Sequence, residues 1–196
     1  FNIISGIWYH LIFILPILIS AETKKCRNCG LVIDTAKTLD MKTFFSDTFH
    51  SIDGEVKTIN NLIAELEVSL SIVFIMRIGD RPAWVNSAVE VVKEIIAENY
   101  NVPIVFIFLD TDSALAIQTK SMLEYMIKSE DFKLLYTTSY TLGENVSQID
   151  RWNLQTTPAI LVCHKTDNSD KVELKPLYVP VFSTEQLLLR IKSMLQ

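Results

Sequence analysis

The sequence predicts an α/β fold, a central mixed β-sheet flanked by helices, with an N-terminal helical extension. Three observations carry this. Two short and almost wholly apolar runs, 69–76 (SLSIVFIM) and 102–109 (VPIVFIFL), have the length and β-branched content of buried strands. Between them, residues 83–99 carry apolar side chains at helical spacing. Strand, helix and strand make a βαβ unit, which is right-handed and parallel. Toward the end, the strand-like stretches 158–163 and 172–181 flank the polar turn 165–170, the pattern of an antiparallel hairpin. Parallel and antiparallel pairing together give a mixed sheet.

Residues 1–21 contain no Lys, Arg, Asp or Glu, and 3–21 form a nearly continuous apolar run that ends in Ile19-Ser20-Ala21. The favoured expectation is an export signal cleaved after these small residues. The alternatives are an uncleaved membrane anchor, since the run approaches the ~20 residues that span a bilayer, and a buried helix interrupted by His10 and Pro16. Residues 22–50 are mixed and polar around an apolar patch at Phe44, Phe45 and Phe49. Ile52, Val56, Ile59, Ile63 and Leu66 then recur at spacings of three and four, which predicts a helix ahead of the first core strand.

After strand 69–76 comes the turn 77–81, and Pro82 sits where a helix begins, a position proline tolerates because its missing N–H is unneeded there. Trp84, Val85, Ala88, Val91, Val92, Ile95 and Ile96 form the inner stripe of that helix, which Asn99-Tyr100-Asn101 ends. Strand 102–109 is apolar on both faces, as a central strand covered by helices must be. Ser113 is expected to cap the next helix, with Leu115, Ile117, Met122, Leu123, Tyr125 and Met126 inside. Residues 128–155 are less regular and include a short strand candidate at 132–136. Ser183 or Thr184 caps a final helix, 185–195, with Leu187, Leu188, Ile191 and Leu195 facing inward.

Composition narrows the function. The 196 residues are 49% hydrophobic, enough for one domain-sized core. Net charge is −5 and the basic residues are scattered, which speaks against nucleic acid as a partner. With five glycines and no glycine-rich phosphate loop, nucleotide binding is disfavoured. No Ser/His/Asp cluster or paired-carboxylate motif stands out, and no cofactor is expected.

Two local signatures, at the right spacing, resemble the thioredoxin superfamily. The first is a strand, a turn and a proline-led helix, with Asp80-Arg81-Pro82-Ala83 where the family carries Cys-Gly-Pro-Cys. The second is Thr156-Thr157-Pro158 before the apolar run 159–162, similar to the threonine and cis-proline that open a strand in exported thiol–disulfide proteins. The resemblance covers 69–196, and it implies a cis bond before Pro158. Residues 1–21 are then a signal peptide or anchor. Residues 22–67 are an N-terminal extension with a helix, and 68–196 a thioredoxin-like domain with an insertion around 128–155.

Family chemistry needs a thiolate at a helix N-terminus, where backbone N–H groups and the dipole lower its pKa. Asp80 cannot attack a disulfide and Ala83 cannot resolve one. The plain role for Asp80 is a helix cap, and for Arg81 a solvated side chain. What remains is the peptide-binding surface. The resemblance gives Thr157 the role of offering backbone groups to an extended partner, with Pro158 and Trp84 beside it.

Three cysteines are present, Cys26, Cys29 and Cys163. Cys163 ends an apolar strand and reads as a small buried hydrophobe. Cys26-Arg27-Asn28-Cys29 is a true C-x-x-C flanked by Lys24 and Lys25, cations that favour thiolate. It precedes any recognisable strand. A structural disulfide or idle thiols, a redox or intermolecular pair, and a zinc half-site completed by His50 and His164 all stay open; no metal site is assigned. The expectation for the whole is an exported, redox-inactive thioredoxin-like module, in a periplasm or secretory lumen, that engages a protein or extended peptide. One alternative is a thiol–disulfide oxidoreductase working from Cys26 and Cys29. Another is a subunit tethered to a membrane through residues 3–21.

Overall fold

A computed structural model describes residues 23–25, 30–34, 38–65, 70–98, 100–137, 148–165, 172–173 and 176–195. Its centre is β5 (Leu70–Arg77), whose apolar run is buried on both faces. β6 (Ile104–Leu109) lies parallel to β5, with Ile72 against Ile104 and Arg77 against Leu109. β7 (Lys133–Tyr136) lies parallel to β6. The short strand expected at 132–136 therefore closes a second βαβ unit. On the other side of β5, β8 (Ala159–Lys165) runs antiparallel, with Ala159 against Ile75. β9 (Val172–Glu173) and β10 (Leu177–Tyr178) both pair antiparallel with β8, which is the expected C-terminal hairpin.

Helices cover both faces, giving the sheet two separate cores. α3 (Pro82–Ala97), α4 (Ser113–Ile127) and α6 (Thr184–Leu195) pack on the face that presents Ile72, Phe74 and Met76. α1 (Met41–Ser46), α2 (Ile59–Glu65) and α5 (Gln148–Arg151) lie on the face of Val73 and Ile75. The second core is aromatic. Trp152 is fully buried, edge-on to Phe44 at 5.2 Å between ring centroids, and its Nε1 donates to Asp47 Oδ2 at 2.6 Å. Each such ring pair adds ~0.5–1.5 kcal/mol beyond the area it buries. Asp47 also pairs with Arg151, and the Asp40 N–H donates to the Trp152 carbonyl at 2.7 Å. The Phe44–Phe45–Phe49 patch is thus where the early chain is strapped to residue 152.

Residues 52–66 depart from the single helix their spacing predicts. β3 (Thr48–Ser51) and β4 (Val56–Thr58) form a hairpin, and among the described residues of the stretch only 59–65 are helical. Gly54, at φ +84°, makes the turn, its N–H donating to Ser51 O at 3.0 Å. Val56, taken for an inward position, is 57% exposed. β3 also pairs antiparallel with β7, His50 against Tyr136. Part of the expected N-terminal extension therefore belongs to the central sheet, whose order is β10-β8-β5-β6-β7-β3-β4.

Two details of α4 also differ from expectation. Asp112, not Ser113, caps it, accepting the Leu115 N–H at 2.8 Å. Leu115, Ile117, Met122 and Tyr125 face outward, Tyr125 being 85% exposed, while Ala116, Thr119, Leu123 and Ile127 face the sheet. The helix is apolar most of the way round, so its sequence does not dictate which face turns in. α6 matches expectation. Ser183 Oγ accepts the Gln186 N–H, and Gln186 Oε1 accepts the Ser183 N–H, both at 3.2 Å, a reciprocal capping box.

A separate two-stranded sheet joins β1 (Thr23–Lys25) to β2 (Val32–Asp34), with Ile33 buried in the second core. Cys26 and Cys29 fall between these strands in sequence, outside the described residues. Among the described residues no helix is long and apolar enough to cross a membrane; the run 3–21 lies outside them.

Candidate functional site

β5 ends at Arg77, and the turn 78–81 carries the chain into α3. Pro82 is the first helical residue, as its fixed φ and missing N–H allow. Arg81 occupies the cap position and its side chain makes no capping bond. Asp80, expected to cap the helix, does not. The turn closes through the Asp80 N–H to Arg77 O at 3.1 Å. That swings the carboxylate inward, where Oδ2 accepts the Arg77 N–H at 2.8 Å and Oδ1 accepts the Thr157 hydroxyl at 2.6 Å. Burial raises the Asp80 pKa above the usual carboxylate value, and the bonds from Thr157 and Arg77 offset this in part.

Across from the turn, β8 begins after Thr157-Pro158, joined by a cis peptide bond. Thr157 is 5% exposed, and its carbonyl accepts the Thr156 hydroxyl at 3.2 Å. No backbone partner among the described residues takes the Thr157 N–H. Pro158 lies buried behind it, its carbonyl accepting the Val179 N–H at 3.1 Å.

Between turn and strand lies a groove of about 560 Å³. Arg77, Gly79, Asp80, Arg81 and Trp84 form one wall, Gln155, Thr156 and Thr157 the other, with Ile149 and Asp150 of α5 at one end. The Arg81 guanidinium lies over the half-buried Trp84 ring, 4.9 Å from its centroid, so it is held against the ring rather than merely solvated. Arg77 Nε sits 3.0 Å from Asp110 Oδ2, an ion pair off hydrogen-bond angle.

The groove thus brings together Asp80, Arg81, Trp84 and Thr157, with Pro158 beneath and Pro82-Ala83 opening the helix. Cys26 and Cys29 lie outside the described residues. Cys163 is toward the other end of β8, 2% exposed, and burial pushes its thiol up to about 12. As a buried small hydrophobe it matches the sequence reading. His50 stacks on Tyr136 at 5.5 Å, away from the groove.

Gln155 is the residue sequence reasoning missed. Its backbone N–H donates to the Tyr178 hydroxyl at 3.1 Å. Its side-chain Oε1 accepts the Asp34 N–H at 2.7 Å, and its Nε2 donates to the Asp34 carbonyl. One amide side chain therefore reads both backbone groups of Asp34 and ties β2 to the groove wall. The partners are far apart in sequence, so no local pattern announces it.

No protein-family model matches the chain, and no curated protein matches it. Solved structures do. The chain is similar to a thioredoxin-like protein from Aeropyrum pernix (TM-score 0.50, 15% identity, covering 78% of this chain and 92% of that one). It is similar to MTB dsbF (TM-score 0.50, 13% identity, 79% and 98%). It is also similar to a thiol-disulfide oxidoreductase from Bacteroides fragilis (TM-score 0.50, 10% identity, 76% and 96%). At these identities the likeness is one of fold, and the fold is thioredoxin-like.

Proposed function

Starting from this thioredoxin-like fold, we propose that the chain is a redox-inactive binding or assembly module. It holds an extended segment of a protein partner in the groove between α3 and the Thr157-Pro158 bend. The observation that carries this is the Asp80–Thr157 contact. A carboxylate, bonded to the residue before the cis-proline, stands where disulfide exchange would need a thiolate. A carboxylate cannot form or break an S–S bond, whereas the Thr157 N–H, which no backbone group among the described residues takes, is suited to β-addition by an extended chain. We place the protein outside the cytoplasm, on the strength of the uncharged run 3–21. Whether that run is cleaved decides between a free module and a tethered subunit.

A second reading is favoured by one observation. β2, which follows Cys26-x-x-Cys29 in sequence, is bonded to Gln155 of the groove wall. On this reading the pair is a thiol–disulfide centre and the groove its substrate platform.

The test is a disulfide reductase and isomerase assay on the full chain beside a Cys26→Ser/Cys29→Ser variant, run with peptide binding by fluorescence polarisation. The binding reading expects terminally blocked extended peptides to bind both proteins, with neither turning over disulfides. Trp84→Ala should weaken that binding. Turnover by the wild type that the double variant loses replaces the module with an oxidoreductase.

A further inference from the structure

We infer that the groove selects acidic segments, with Arg81 as the residue that sets the selection. This rests on the binding reading above and gives its partner a chemistry. The groove wall carries four charged side chains, Arg77, Asp80, Arg81 and Asp150. Three are engaged within the protein. Arg77 pairs with Asp110, and Asp80 spends one oxygen on the Arg77 N–H and the other on the Thr157 hydroxyl. Asp150 has an interaction of its own. Arg81 is the exception. Among the described residues no carboxylate pairs with it, and its guanidinium lies over the Trp84 ring.

That neighbour matters for what Arg81 can do. The ring face takes no conventional hydrogen bond from the guanidinium, so its N–H donors remain open to a ligand. The ring also limits the rotamers of a long side chain, so less entropy is lost when a ligand arrives. A carboxylate matches those donors in a two-pronged, charge-assisted geometry. The cation stands on the α3 wall, facing the strand where an extended peptide would align. Alternate side chains of such a peptide point toward one wall. An Asp or Glu at one of those positions meets Arg81, whereas a Lys there meets a like charge. Arg81 lies outside both cores, so replacing it leaves the fold intact.

The experiment uses three terminally blocked extended peptides, identical except for a central Glu, Gln or Lys. Each is titrated by fluorescence polarisation against the full-length wild type, Arg81→Ala and Arg81→Glu, with far-UV circular dichroism confirming that all three proteins are folded. Selection by one exposed pair corresponds to about two- to fivefold. The wild type should bind the Glu peptide about that much more tightly than the Gln peptide, and the Lys peptide most weakly. Arg81→Ala should level the three, and Arg81→Glu should reverse the order. Equal binding of all three peptides by the wild type overturns acidic selection and leaves the binding module standing. Failure of the wild type to bind any of them overturns the module itself.

Discussion

Asp80 shows how one buried side chain can work against stability. Its carboxylate is drawn inward between the Arg77 N–H and the Thr157 hydroxyl, and burial is the largest influence on it, favouring the neutral acid. The folded protein thus holds a proton on Asp80 to higher pH than the unfolded chain does. As pH rises from below 3.8 through the raised folded pKa, this group takes stability away. Asp80→Asn removes the charge while keeping the shape. Urea unfolding should find the variant more stable than the wild type at neutral pH, with the difference shrinking as pH falls toward 3.8. A difference independent of pH would mean that lost hydrogen bonds, rather than the buried charge, dominate the substitution.

At the scale of elements, the β3–β4 hairpin turns on one unusual backbone angle. Gly54 sits at φ +84° with open space around the place a Cβ would take. Gly54→Ala therefore meets no clash, and its cost is conformational, about 1–2 kcal/mol. The expected result is a lower unfolding midpoint with an unchanged denaturant slope. The same element marks where the sequence stops being readable. β5, β6, α3 and α6 announce themselves through continuous apolar runs, a helical stripe and a capping box, all local signals. Residues 52–66 carry an apolar repeat at helical spacing, and the competing hairpin is decided by pairing with β7, more than 80 residues on. α4 is apolar on several faces, so the sheet chooses which one it covers. At the site, Thr157-Pro158 was legible as a motif. The inward turn of Asp80 was not, because the hydroxyl that captures it lies 77 positions away.

Over the whole molecule, the sheet divides two cores, and long-range polar links hold the early chain against the second. Asp47 to Trp152, Asp40 to the Trp152 carbonyl, and Gln155 to Asp34 all tie residues 34–47 to 152–155. The last of these is testable by amide hydrogen exchange, because the Asp34 N–H donates to the Gln155 side chain. Gln155→Ala removes both of that side chain's bonds, each worth ~0.5–1.5 kcal/mol net. The Asp34 amide should then exchange about tenfold faster or more, while amides of β5 and β6 keep their wild-type rates. An unchanged Asp34 rate would show that contacts other than the Gln155 side chain hold β2 in place.

The Gln155 bridge also makes the groove and the N-terminal hairpin one thermodynamic system. If a partner held in the groove shifts the docking of β2 by some factor, the docking of β2 shifts the partner's affinity by the same factor, since coupling between two equilibria is reciprocal. Cys26 and Cys29 stand between the two strands of that hairpin in sequence. On the proposed binding reading, joining or parting their sulfurs would be transmitted as a change in grip on a partner, to whatever extent it alters β2. A filled groove would, by the same balance, displace the reduction potential of the pair. On the same proposed reading, a groove that itself exchanges no disulfides would in this way still report on the redox state of its surroundings.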